Sequence, residues 1–226
     1  MTVLTVHHLE NSRSQRILWL LEELGVDYDI RRYKRNPETS LAPPELVKVH
    51  PLGKSPVVTD GDVTIAESGA IIEYLVERFD DDRLLPAAGT SERRACTYWL
   101  HYAEGSFMPL MILALILRRI ETAKMPFFAR PIARGIVGKV RGGFLDPNID
   151  RHMAFMEQTL AESAWFCGDQ MTAADVQMSF ALEAAEARTD LQAGYPALAG
   201  FLDQIRARPA YQRALARGGP YQLMGR

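Results

Sequence analysis

Three groups of residues in the first third of the chain have the types and spacing to hold a small peptide and act on it. Ser55-Pro56 stands between a loop and the apolar run that begins at Val57. Proline has no N–H to give a sheet ladder, so it belongs at a strand start or edge. A cis bond there would turn the Ser55 N–H and C=O outward, toward an extended ligand that pairs as a strand does. A simple edge turn is the competing explanation. Glu67-Ser68-Gly69 opens a predicted helix, where free backbone N–H groups and the positive dipole end favour a carboxylate. Ser68 adds a hydroxyl and Glu67 can accept an ammonium group, so the pair matches the amino-acid end of a ligand. Capping alone would also place Glu and Ser in a first helical turn. Ser12, within Asn11-Ser12-Arg13-Ser14-Gln15, precedes another predicted helix. Ser12 with Gln15 fits a capping box, and the same placement aims a hydroxyl and a helix N-terminus at whatever lies above them.

The elements that must position these residues can be read from hydrophobic period. Residues 3–6 are β-rich, and Ile17, Leu20, Leu21 and Leu24 then recur at helical spacing with Glu22 and Glu23 on the other side. Gly25 suits that helix's C-terminus. Residues 26–33 alternate apolar and charged, a period-2 strand signal. A loop with Pro37, Pro43 and Pro44 leads to a short helical piece at 45–49, and strands at 57–59 and 63–65 flank the turn Asp60-Gly61-Asp62. Residues 67–79 return to helical period, giving the order β-α-β-α-β-β-α. Asp80, Asp81 and Asp82 with the 86–90 segment break the periodicity. Beyond them only helical stripes recur, such as Ile149, Met153, Met156 and Leu160, then Val176 and Phe180, then Leu198, Leu202 and Ile205. The expected organisation is an α/β domain over 1–80, a linker over 81–90 and an all-α domain over 91–226. Thr172-Ala173-Ala174-Asp175 reads as a capping box with Asp in place of Glu.

At 226 residues, with 47% hydrophobic and 24% charged residues, the chain is globular in composition and long enough for two small domains. The longest apolar run, 107–117, is far short of the ~20 residues a membrane span needs. The N-terminus lacks a basic leader and an apolar signal region, so a cytoplasmic location and no membrane partner are expected. Cys96 and Cys167 show no metal-binding spacing, which predicts buried free thiols and no metal. The net charge of −2 hides a stretch, 118–141, with seven Lys or Arg against the single Glu121. A solvated amphipathic helix pair is the default explanation, with anionic acceptors or a membrane surface as alternatives; nucleic acid is not expected.

Taken together, the strand then Ser12 before a helix, Pro51-Leu52-Gly53-Lys54-Ser55-Pro56, and Ala66 to Leu75 resemble the cytosolic glutathione transferases, serine type. So do Gly168 to Asp175 and the ending Arg208-Pro209-Ala210-Tyr211, and the likeness covers nearly the whole chain. The resemblance implies a thioredoxin-like N-terminal domain, an α-helical-bundle C-terminal domain, and a homodimer with glutathione as co-substrate in each cleft. It makes Pro56 the cis proline, Ser55 the backbone partner of the cysteinyl unit, Glu67 and Ser68 the γ-glutamyl contacts, and Lys54 a neighbour of the glycyl carboxylate. Ser12 falls where serine-type members hold the thiol; Arg13 joins the glutathione-binding set, and Asn11, Arg13 and Ser14 are alternatives for the role of Ser12. Two departures are Ser55, where many members have Val, and His50, where many have Asn.

The implied activity is detoxifying attack of the glutathione thiolate on a small apolar electrophile, with peroxide reduction at the same site. Tyr102, Phe107, Met108 and Met111 are candidates for the acceptor pocket, although such a stripe at helical spacing also describes a core. Glu104 is read as facing the cleft, a dimer partner or solvent. A non-enzymatic glutathione-binding protein and a glutathione-dependent isomerase or reductase are the rival functions. The absence of Cys from positions 11–15 counts against the reductase.

Overall fold

The computed structural model describes residues 3–80, 83–219 and 221–223. Of the expected linker, Asp81 and Asp82 lie outside the described residues.

Strand β1 (Leu4–Leu9) leads into helix α1 (Ser14–Leu24), which ends where Gly25 takes φ 67° and its N–H bonds the Leu21 carbonyl. The left-handed conformation there is the reason for a glycine. Strand β2 (Tyr28–Tyr33) runs parallel to β1, Leu4 facing Tyr28 and Leu9 facing Tyr33. After a 3-10 turn at Pro44–Lys48 come β3 (Val57–Asp60) and β4 (Val63–Ala66), antiparallel to one another, with Gly61 at φ 60° in the two-residue turn. The sheet order is β2-β1-β3-β4, and β3 is antiparallel to β1. Helix α2 (Ser68–Phe79) closes this half.

All described elements after α2 are helical: α3 (Ser91–Tyr102), α4 (Met108–Thr122), α5 (Arg130–Val140), α6 (Asp146–Glu162), α7 (Ala173–Glu186), a single turn α8 (Leu191–Gly194), α9 (Pro196–Ala207) and α10 (Pro209–Gly218). π-helical turns at Ala103–Phe107 and Arg141–Leu145 join α3 to α4 and α5 to α6. The continuous helix 91–122 is long and apolar enough to cross a bilayer by length and composition, but half of its most apolar stretch is buried against the rest of the protein, as in a core helix.

One hydrophobic core runs through both halves. Every residue of α1 from Ser14 to Leu21 is buried, because the sheet lies on one side of the helix and α7 and α10 on the other. Helix α7 is buried from Ala173 to Ala185. Its N-terminus carries the expected box: the Asp175 carboxylate accepts the Thr172 N–H at 2.7 Å, the Thr172 hydroxyl at 3.0 Å and the Phe166 N–H at 2.9 Å. Burial raises the Asp175 pKa to about 6, against the pull of those hydrogen bonds. Cys96 and Cys167 are free and buried.

Candidate active site

Ser12 sits on the turn between β1 and α1, where Asn11 takes φ 51°. The capping box expected of Ser12 and Gln15 does not form. Ser12 Oγ accepts the Ser14 N–H at 3.2 Å, and it lies 2.8 Å from Ser14 Oγ, which engages it in place of the Gln15 N–H. The Gln15 amide is buried with no hydrogen-bond partner. Ser14 Oγ is in turn 2.9 Å from His8 Nδ1. Burial, helped by the charge of Arg32, lowers the His8 pKa to about 4, and a hydrogen bond with the Gly218 backbone opposes the shift. His8 is therefore neutral near pH 7 with its proton on the ring nitrogen facing the Gly218 carbonyl, which leaves Nδ1 to accept from Ser14. Ser14 Oγ has the Leu9 carbonyl as a second acceptor, at 3.3 Å. Ser12 keeps its own proton to donate, either to Ser14 Oγ or to a ligand.

Two adjoining hollows, of about 250 and 470 Å³, meet beside this serine and share Arg13, Leu52, Lys54 and Ser55 in their walls. Ser12 lines the larger; Pro56, Glu67 and Ser68 line the smaller. All seven residues expected to bind glutathione or activate its thiol therefore converge on one cleft. Among the alternatives for Ser12, Ser14 is fully buried behind it, and Asn11 points its side-chain oxygen at the Gln222 N–H, 2.7 Å away.

The Ser55–Pro56 bond is cis. The Ser55 hydroxyl donates to the His7 carbonyl at 2.8 Å and accepts the Leu9 N–H at 3.2 Å, so it satisfies β1 just beyond the last β1–β3 pair, His7 with Val57. A valine at this position could make neither bond, which is the local reason for serine. Glu67 takes φ 70° at the residue before α2, and its side chain does not cap the helix. Its carboxylate is left facing the cleft.

The floor is an ion cluster. Arg13 Nε is 2.9 Å from each Glu104 oxygen, and Arg16, fully buried, bonds Glu104 and also the Gln177 carbonyl at 2.5 Å and Oε1 at 2.7 Å. The Phe180 ring lies 5.3 Å from Arg13 and 5.2 Å from Arg16. Burial alone would raise the Glu104 pKa; the two arginines outweigh it and the net shift is downward. Of its sequence readings, Glu104 takes the one that faces the cleft. Arg35 was not foreseen. It lines the larger hollow and holds the 10–12 turn by donating to the Glu10, Asn11 and Ser40 carbonyls at 3.0–3.2 Å. No local sequence pattern marks such a residue.

The acceptor candidates do not join the cleft. Phe107, Met108 and Met111 are buried in the core, and Tyr102 bonds His152 Nδ1 beside a separate hollow of about 340 Å³. The α4 residue that does line the cleft is Ile112, followed at four-residue steps by the exposed Ile116 and Ile120.

Comparison with known proteins decides what this cleft belongs to. Residues 1–77 match the family described as Glutathione S-transferase, N-terminal domain, and residues 138–216 match Glutathione S-transferase, C-terminal domain. Glutathione S-transferase 3 of Schizosaccharomyces pombe is 36% identical over 92% of this chain and 85% of its own length. The chain belongs to the glutathione S-transferase family. A second relative of this family, Glutathione S-transferase 1 of Saccharomyces cerevisiae, is 32% identical over 92% of both chains. Among solved structures, a glutathione S-transferase from Actinobacillus pleuropneumoniae superposes with a TM-score of 0.76 at 34% identity, covering 96% of this chain and 93% of the other. The glutathione transferase URE2P8 of Phanerochaete chrysosporium, solved with oxidized glutathione, shares the fold at TM-score 0.75 and 20% identity over 96% of each chain.

Proposed function

We propose that the chain is a glutathione transferase in which Ser12 holds the thiol of glutathione as a thiolate for attack on a small apolar electrophile. The observation that carries this is the Ser12 hydroxyl, with a proton to donate, in the wall of a cleft whose other walls are Ser55-Pro56 and an unengaged Glu67. The Ser55 backbone would pair with the cysteinyl unit, Glu67 and Ser68 would take the γ-glutamyl amino and carboxylate groups, and Lys54 would neutralise the glycyl carboxylate. Arg13, already held by Glu104, contributes positive charge beside the sulfur.

The energetics are adequate without a general base. An ordinary thiol has a pKa of ~8.5, and lowering it by about two units needs ~2.7 kcal/mol of preferential thiolate stabilisation. One hydrogen bond to the charged sulfur supplies about 1.5–3 kcal/mol, and the α1 N-terminus about 0.3–1 more. The same thiolate would reduce peroxides. The acceptor wall in this reading is Ile112 with Ile116, in place of the Tyr102, Phe107, Met108 and Met111 set. A homodimer in the cytoplasm completes the reading.

An ultraviolet titration of bound glutathione tests it. The parent is expected to show a thiol pKa about two units below that of free glutathione, and Ser12→Ala to return most of that shift. No glutathione binding would sink the ligand assignment. Binding with an unshifted thiol in the parent would support a non-enzymatic binding protein.

A further inference from the structure

The chain from α4 to the end of the second π-helical turn carries a set of exposed apolar side chains for which the cleft has no use. Phe127 is 82% exposed, Phe128 66%, Ile132 65%, Ile136 61% and Phe144 54%. Ile132 and Ile136 form a stripe on α5, with Phe127 and Phe128 in the turn just before the helix, which packs inward through Val137, about a quarter turn from Ile136. Single exposed apolar residues are ordinary, but a contiguous apolar patch of this kind marks an interaction surface. The same segment is basic. Lys124, Arg130, Arg134 and Lys139 are exposed and make no ion pair among the described residues, and Arg141 is paired with Asp146 at 3.2 Å. No acidic residue lies between Glu121 and Asp146. The tip of this hairpin also falls outside both stretches that match the family.

We propose that the α4–α5 hairpin docks on an anionic lipid bilayer, with Phe127 and Phe128 entering the headgroup–acyl boundary and the Ile132–Ile136 stripe lying along it. On α5 the isoleucine stripe has Lys139 beside it, seven residues from Ile132, and Arg130 and Arg134 on the other side, and a basic amphipathic helix lies in the plane of such an interface. Three observations favour a bilayer over a second copy of the chain or another protein. Phe127, 82% exposed, stands at the tip of the hairpin with Phe128, where both rings can enter a bilayer at once. Self-pairing of this face about a two-fold axis would set its unpaired cations against their own copies. A bilayer with acidic headgroups takes the apolar rings and the cations together. The association is peripheral, since the 11 residues of α5 are far fewer than a span requires. This inference does not rest on the transferase reading.

The test is co-flotation of the full-length protein with phosphatidylcholine vesicles and with vesicles containing about a third phosphatidylserine, in parallel with sedimentation equilibrium and glutathione binding. The parent is expected to float with the anionic vesicles and to be released by 0.5 M salt, roughly as charge screening requires. A Phe127→Ser/Phe128→Ser double variant should lose at least about tenfold in partitioning. Replacing Lys124, Arg130, Arg134 and Lys139 by Gln should lose about fivefold per cation removed. Both variants should bind glutathione as the parent does, which shows that they are folded. A parent that floats with neither vesicle type, or equally with both, overturns the proposal. So does a double variant whose loss appears in the oligomeric state while its vesicle binding is unchanged, because that result assigns the face to a second copy.

Discussion

Ser12, Ser14 and His8 form a buried hydrogen-bonded line whose end point is the neutral imidazole. That neutrality has a cost in acid. The folded protein holds the His8 pKa at about 4 against 6.5 for the ordinary group, so below pH 6.5 the unfolded chain takes up a proton that the folded one refuses. Stability from this residue is intact above pH 6.5 and falls by up to ~3 kcal/mol as the pH drops to about 4. Glu104, shifted downward by its arginines after burial is overcome, acts in the same direction, its contribution being lost as the pH falls below the ordinary carboxylate range. Asp175, raised to about 6 by burial, acts oppositely, because its folded form gains protons first. Urea midpoints at pH 7 and pH 4.5 for the parent and for His8→Gln separate these: the variant should have the shallower pH dependence. Equal slopes would place the acid sensitivity elsewhere.

The elements make sense of several glycines, and two of them give predictions of opposite sign. Helix α10 is pressed against α1 at Gly218, where a Cβ would lie 2.9 Å from both Gln15 Oε1 and Leu18 Cδ1. Gly218→Ala should therefore destabilise by about 1–3 kcal/mol through overpacking. Gly138 lies within α5 with nothing within 4 Å of its would-be Cβ, so Gly138→Ala should stabilise by ~0.5–1 kcal/mol through the helix backbone alone. Thermal unfolding of the two variants checks both signs. The α3–α4 junction accounts for where Tyr102, Phe107, Met108 and Met111 lie. The π-helical turn Ala103–Phe107 widens the step to five residues, so Tyr102 and Phe107 come to the same side with both rings near His152, and with Met108 and Met111 they join the core. An apolar stripe has the same spelling whether it meets the core or a cleft, and the widened step leaves no mark in the hydrophobic pattern.

At the scale of the whole molecule, the sheet half and the helical half meet at Arg16. It is fully buried, reaches the Gln177 side chain and carbonyl on α7, and shares Glu104 with Arg13 in the cleft floor. A buried guanidinium stripped of its counter-charge is costly. Glu104→Gln is expected to lose about 3 kcal/mol of stability and to weaken glutathione binding together, since the same change frees Arg13. Urea denaturation and a glutathione titration of this variant check the pair of effects. A variant that lost stability but kept its affinity would leave Arg13 held by something besides Glu104.

The sequence by itself determined what is local. The β-α-β-α-β-β-α order, the Gly25 and Gly61 positions and the Thr172–Asp175 box are each written within a few residues, because backbone periodicity, a positive φ and a helix cap are satisfied by near neighbours. That Lys54 to Pro56 and Glu67 to Ser68 share a cleft was legible for a related reason: they sit at strand and helix ends whose backbone groups face outward wherever those elements form. Only the tertiary structure decided the rest. Ser12 lost its partner Gln15 and gained Ser14, Ser55 found β1, Glu104 found two arginines, and Ile112 took the place in the cleft lining that Met111 does not reach. Each of those outcomes depends on which side chain arrives from far along the chain, and burial and charge compensation are settled by that arrival.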